Sequence, residues 1–145
     1  MTLSFVAFGI PQPQGSAKAF MPKGGRFPIV TSDNKHLKGW RQLVAEAASA
    51  ALRGHGQMAD GPVTVTATFY LPRPKSLGKK SKAHVTRPDV DKLARSIGDA
   101  LTGVVFRDDA QIVGLHVQKC YAASSASPRA EVTVAELEQG DSNAD

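Results

Sequence analysis

Residues 63–71 read VTVTATFYL. Val63, Val65, Ala67, Phe69 and Leu71 alternate with Thr64, Thr66, Thr68 and Tyr70. Successive side chains of an extended chain point to opposite faces, so this period of two predicts a strand with one apolar and one polar face. Upstream the period changes. Leu37, Trp40, Leu43, Val44, Ala47 and Ala51 recur at steps that place them on one helical face. Ser32, Asp33 and Asn34 are candidate caps for that helix, and Gly54 and Gly56 can end it. Downstream, Val90, Leu93, Ala94, Ile97, Ala100 and Leu101 make a second helical stripe, with Gly103 to end it. Shorter runs predict strands over 3–10, 26–31, 111–121 and 129–137. The order β-β-α-β-α-β-β predicts an α+β single domain, a mixed sheet with two main helices packed on one face.

The chain has 145 residues, the size of one domain, and 41% are hydrophobic, enough to bury a core. Residues 1–137 are expected to form that domain, and 138–145, polar and acidic, a disordered tail. No repeat is visible. The lone cysteine, Cys120, can neither staple the fold nor make a zinc site alone, and reads as a structural thiol. The N-terminus has no charged segment followed by a long apolar one, and no window nears the roughly 18 apolar residues of a membrane helix. A soluble, cytoplasmic protein without a membrane partner is expected. His36, His55, His84 and His116 show no ligand spacing. No P-loop, G-x-S-x-G or Rossmann fingerprint appears, so no nucleotide cofactor is expected.

The charge is unevenly spread. Residues 1–60 carry seven Lys/Arg and three acids. Residues 61–88 carry six, Arg73, Lys75, Lys79, Lys80, Lys82 and Arg87, and no acid. Residues 89–145 carry five against ten acids. Stretch 72–88 has no periodicity and three prolines, and reads as a long mobile loop. Its cations suit a polyanion, whose counterions they release on binding, although a solvated loop explains them equally well. Lys18 and Arg26, flanking a Gly-rich loop over 14–25, are weaker phosphate candidates.

Beyond the basic loop comes RPDVDKLARSIGDALTGVVFRDDAQIV, residues 87–113. Asp89 stands near the second helix's N-cap and Asp91 in its first turn, and such an i, i+2 pair can point to one side of the backbone. Asp108 and Asp109 precede the next strand. If that strand lies beside the helix start, Asp109 approaches Asp89 and Asp91. Converging carboxylates repel unless a cation sits between them, and Mg²⁺ or Mn²⁺ prefers oxygen ligands. Such an ion polarises a phosphodiester and activates water. Each residue alone also has a plainer role. Asp89 suits a cap, Asp91, Arg95 and Asp99 suit a surface ladder four residues apart, and Asp108-Asp109 suits a turn.

Taken together, R-P-D-x-D-K-L-x-R-x-x-x-D-A-L-x-G followed by D-D-x-Q-I resembles the core motif of the RusA family of Holliday-junction resolvases. The opening F-x-x-x-G-x-P, the K-x-W-R of 38–41 and the strand 62–71 with its P-R-P-K resemble that family more weakly. The resemblance implies a homodimeric, Mg²⁺-dependent endodeoxyribonuclease, with Mn²⁺ as substitute, acting on four-way DNA junctions. By position it implies catalytic, metal-binding roles for Asp89, Asp91 and Asp109. Arg95 occupies the place where the family often has a catalytic lysine, and Lys92 the place of a common asparagine. A guanidinium clamps phosphate but does not readily give up a proton. Asp99 is expected to be structural, pairing with Arg95, and Asp108 to assist the metal or shape the turn. Arg73, Lys75, Lys79, Lys80, Lys82, Arg87 and Lys92 are the expected DNA contacts. Two alternatives stay open: a nuclease selective for other branched DNA, and a branched-DNA-binding module that does not cut.

Overall fold

The computed structural model describes residues 1–15, 17–21, 23–32 and 34–138, and the side chains of 17–20 and 29–32 lie outside it. Six strands and two helices follow one another as β1 (Thr2–Phe8), β2 (Ala17–Phe20), β3 (Ile29–Ser32), α1 (Leu37–Arg53), β4 (Val63–Leu71), α2 (Val90–Leu101), β5 (Ile112–Tyr121) and β6 (Arg129–Glu136). The α+β class and the order expected from the periodicities hold. One short element is additional: β2 falls inside the segment read as a loop and pairs antiparallel with β3. Four residues are too few to display a period, so its alternation is invisible without the partner strand.

The main sheet is mixed, in the order β1-β6-β4-β5. β6 runs antiparallel to both β1 and β4, whereas β4 and β5 are parallel. A parallel pair cannot be joined by a hairpin, and the chain between β4 and β5 is the crossover that contains the basic loop and α2. Val63, Val65, Ala67, Phe69 and Leu71 are buried, as their alternation predicts. They pack with Leu3 and Ala7 of β1, Val132 and Val134 of β6, and the helices. The other face is polar, with Ser4 bonded to Thr133 at 2.9 Å and Gln118 to Thr68 at 3.1 Å. A sheet covered on one face reads as such an alternation.

Both helices pack on the apolar face. α1 buries Leu37, Trp40, Val44 and Ala48. Leu43, assigned above to that stripe, is exposed, and Ala48 takes a buried place instead. The α1 N-cap position is His36, whose backbone N–H donates to Asn34 Oδ1 at 3.0 Å. Of the other caps considered, Asp33 and the Ser32 side chain lie outside the described residues. α2 buries Leu93, Ala94, Ser96, Ile97, Ala100 and Leu101, close to its expected stripe, with Val90 half-buried. Ser96 sits in the core because its hydroxyl donates to the Leu93 carbonyl at 2.7 Å. Among the described residues no helix is long and apolar enough to cross a membrane. Of the tail proposed at 138–145, residues 139–145 lie outside the described residues.

Candidate functional site

The start of α2 carries the motif. Asp89 is the helix's N-cap in extended backbone conformation (φ −73°, ψ 140°), yet its carboxylate makes no capping hydrogen bond. The plainest role for an aspartate there is therefore unfilled. Asp89 instead lies 3.9 Å from the Lys92 ammonium, at the limit of an ion pair between exposed groups. Asp91 follows in the first turn and Arg95 one turn later, both exposed. The salt-bridge ladder does not form: Asp99 reaches across to Arg41 of α1 at 3.7 Å. Asp99 is structural, as expected, but its partner is Arg41 and not Arg95, because the helix–helix contact is nearer than the exposed turn. Asp91 and Arg95 make none of the described hydrogen bonds or ion pairs.

The second acidic pair is organised differently. Residues 109–111 form a 3₁₀ turn immediately before β5. Asp108 is its cap, accepting the Ala110 N–H at 2.9 Å, which gives that side chain the turn-shaping role. Gln111 completes the box by accepting N–H bonds from Arg107 and Asp108 at 2.9 and 3.1 Å. Its amide nitrogen donates to the carbonyls of Ala59 and Gly61 at 3.1 and 2.9 Å. One glutamine thus ties the turn to the entry of β4. Asp109, between two committed neighbours, is left exposed and unpaired among the described residues.

Asp91, Arg95 and Asp109 open on one groove between α2 and the free edge of β5. It has a volume of about 430 Å³ and an apolar floor that includes Val65, Ile97 and Leu115. Asp89 and Lys92 open instead on a larger cleft of about 810 Å³, bounded by the 10–15 segment, His84–Pro88 and Tyr121. Asp89 and Asp91, two residues apart at the start of α2, thus line different hollows. Among the described residues, no three His, Cys, Asp or Glu side chains are gathered as a metal cage. A magnesium ion does not need one: it keeps several waters and takes one or two carboxylates plus phosphate oxygens. Two unpaired carboxylates facing a single groove, with a guanidinium beside them, fit that donor set.

The basic residues also divide. Lys75, Lys79, Lys80 and Lys82 are exposed along the crossover loop, and Arg87 and Lys92 line the larger cleft. Arg73 is engaged inside the loop, donating to the carbonyls of Ala122, Gly78 and Lys80 at 2.8, 3.0 and 2.9 Å. A 3₁₀ turn at 75–77 adds order where none was expected. The far end of the loop is held by Lys119 of β5, whose ammonium donates to the Thr86 and Pro88 carbonyls at 2.7 and 2.8 Å. The Arg87–Pro88 peptide between them is cis. Lys119 and Gln111 were not singled out from the sequence, although Gln111 stands inside the D-D-x-Q signature. Only the structure reveals that both hold the aspartate-bearing turns. Of the weaker phosphate candidates, Arg26 is exposed and the Lys18 side chain lies outside the described residues.

Two further groups lie nearby. The His84 ring rests against Tyr121, with centroids 4.5 Å apart. Burial foremost, and then the Lys119 ammonium, lower its pKa below the ordinary histidine value, against a smaller upward pull from the backbone of His84 and Thr86. Cys120 is half-buried and its thiol is pushed up by burial, with Glu131 adding to the shift and Arg129 opposing it, which disfavours the reactive thiolate.

Residues 10–135 match the family model of endodeoxyribonuclease RusA. The chain is also 32% identical over 145 residues to the uncharacterized protein YqaN of Bacillus subtilis (strain 168), with 93% of this chain and 96% of that protein covered.

Proposed function

The chain belongs to the RusA family of endodeoxyribonucleases, and on that premise we propose that it is a Mg²⁺-dependent resolvase of four-way DNA junctions. The observation that carries the reading is the shared groove of Asp91, Asp109 and Arg95, three charged side chains without partners among the described residues. Each is free for an external ligand.

In this proposal Asp91 and Asp109 hold the ion and Asp89 assists from the helix cap. Magnesium serves, with manganese as substitute. When bound, the ion supplies charge neutralisation at the scissile phosphate and lowers the barrier to attack by water. The chain's own residues do the rest. Arg95 clamps the phosphate through its planar fork and serves as an electrostatic anchor. The apolar floor of the groove thins the water around these charges and strengthens their interaction with the phosphate. Lys92 and Arg87 steady the strand on the adjoining cleft. Exposed Lys75, Lys79, Lys80 and Lys82 extend the cationic track along the backbone without reading bases. Arg73 contributes by shaping the loop that presents them. A homodimer related by a two-fold axis would set two such sites against the two-fold symmetry of a junction, giving paired cuts.

The test is cleavage of a synthetic four-way junction with Mg²⁺, compared with linear duplex and with flap and fork substrates. Symmetric paired nicks restricted to the junction are the expected result. Equal cutting of flaps or forks would make it a nuclease of other branched DNA. Junction binding with no nicking at any Mg²⁺ or Mn²⁺ concentration would leave a binding module.

A further inference from the structure

β2 and β3 stand apart from the main sheet, as a two-stranded ribbon of their own. Pairing runs from Ala17 with Ser32 to Phe20 with Ile29, so residues 21–28, MPKGGRFP, are its tip. Gly24 turns it with φ +78°, a value that glycine adopts without strain. At this tip Phe27 is 77% exposed and Met21 58%. Lys23 and Arg26 are exposed beside them and make none of the described hydrogen bonds or ion pairs. Single exposed apolar residues are ordinary on a protein surface. Here two of them share one short turn with two cations, and residues 1–32 hold no acid at all. The root of the ribbon is fixed. Asn34 donates to Gln12 Oε1 at 3.2 Å and to the Pro13 carbonyl at 2.9 Å, tying the two stems together. The Gln14 backbone N–H donates to the Lys92 carbonyl at 3.0 Å, which moors the entering stem on the first turn of α2. Four paired residues per strand then set the tip roughly 13 Å from that root.

A moored arm with an aromatic ring and two cations at its end suits DNA whose base faces are open. Resting on the nuclease reading above, we propose that the ribbon enters the branch point of the junction and stacks Phe27 on a base pair that borders it. In a closed duplex every base face is covered by its neighbour, whereas at a crossover the stacking is interrupted. Apolar side chains serve other DNA-binding proteins as wedges, and an aromatic face holds any base without reading its identity. Met21 adds flexible apolar surface on the same tip. Lys23 and Arg26 meet phosphates of the strands that part around it. Those cations favour a polyanion over the equally basic tip of a second copy. The aspartate groove then cuts, and the ribbon distinguishes branched from linear DNA.

The test uses the full chain in EDTA, where binding is read without cutting, on a four-way junction and a linear duplex of matched sequence. Phe27→Ala is expected to weaken junction binding by about ten-fold, the loss of one base stack, with duplex affinity within about two-fold. Because the ring is exposed, the melting temperature of that variant should match the wild type. Phe27→Trp should keep junction affinity, and its added emission should be quenched by about half on the junction and little on the duplex. Trp40, the one native tryptophan, is buried and supplies a constant background. Arg26→Ala should weaken both DNAs alike and lower the salt slope of binding by about one. Equal losses on junction and duplex for Phe27→Ala, or unchanged Phe27→Trp emission in the bound junction, overturn the wedge and leave the nuclease reading intact. So does a Phe27→Ala chain that sediments at about half the wild-type mass, which would make the ribbon a contact between copies. A chain that neither binds nor cuts any branched DNA overturns both.

Discussion

The two hollows that flank the start of α2 differ in nearly every respect. One is a narrow groove with an apolar floor, two carboxylates and a guanidinium. The other is nearly twice the volume, rimmed by cations and walled by aromatic and amide groups. Asp89 and Asp91 are two residues apart, and each lines a different hollow. The difference teaches that neighbouring positions of one short motif can border two distinct spaces.

The most demanding check on that division is a pair of substitutions. Asp91→Asn is expected to reduce junction cleavage on the order of 10²–10³-fold, as loss of a group that stabilises developing charge does, with junction binding retained. Asp89→Asn should cost less, about 10–100-fold, as a group that assists the ion from the helix cap does. Equal losses in a gel-based cleavage assay would erase the distinction between the two sides.

Next in size is the scaffold of the narrow groove. Gln111→Ala removes four hydrogen bonds, to Ala59, Gly61, Arg107 and Asp108. A loss of about 2 kcal/mol is expected from the groups left unpaired. Thermal unfolding should shift down by roughly 6 °C for a domain of this size. Cleavage should fall with it as Asp109 loses its fixed position.

Lys119→Met probes the partition from beneath, since its ammonium holds the carbonyls just before Asp89. About 1 kcal/mol of stability should be lost, measurable by chemical denaturation. Cleavage should fall as well, because the turn that precedes Asp89 is released.

The smallest effect is a pH dependence. The folded pKa of His84 lies below its unfolded value of 6.5. The unfolded chain therefore binds the proton more readily, and the stability that His84 contributes is present above pH 6.5 and lost as pH falls through the folded value. Urea midpoints at pH 7.5 and 5.5 should show a larger drop for the wild type than for His84→Gln. An identical drop would mean that the ring is not held away from water.

The long periodic elements were legible from the chain alone. The alternation of 63–71 and the two helical stripes follow directly from burial, which acts residue by residue along a strand or helix. Leu43 was misplaced because it lies at the border of its stripe, where period alone does not decide exposure. β2 was hidden by its length. The aspartates stand out by their pattern, but which hollow each one lines depends on how α2 sits against β5, and spacing along the chain does not carry that. Asp99 found Arg41 across a helix contact that spacing within one helix does not reveal. Gln111, Lys119 and Arg73 act on backbone carbonyls tens of residues away, and carbonyls leave no mark in a sequence.

One feature of the sheet reaches beyond the site. Among the described residues β1 has β6 as its only neighbour, pairing Thr2 with Ala135 and Phe8 with Arg129, so the first described strand is completed by the last. Such a pairing closes residues 2–135 as one loop, a contact of long sequence separation. Its entropic cost falls before its reward, and topologies of this kind fold slowly for their size. During synthesis β1 stays unpaired and half apolar until β6 has been made. The crossover with both aspartate turns precedes β6 in the chain, so the sheet that aligns those turns is completed after them.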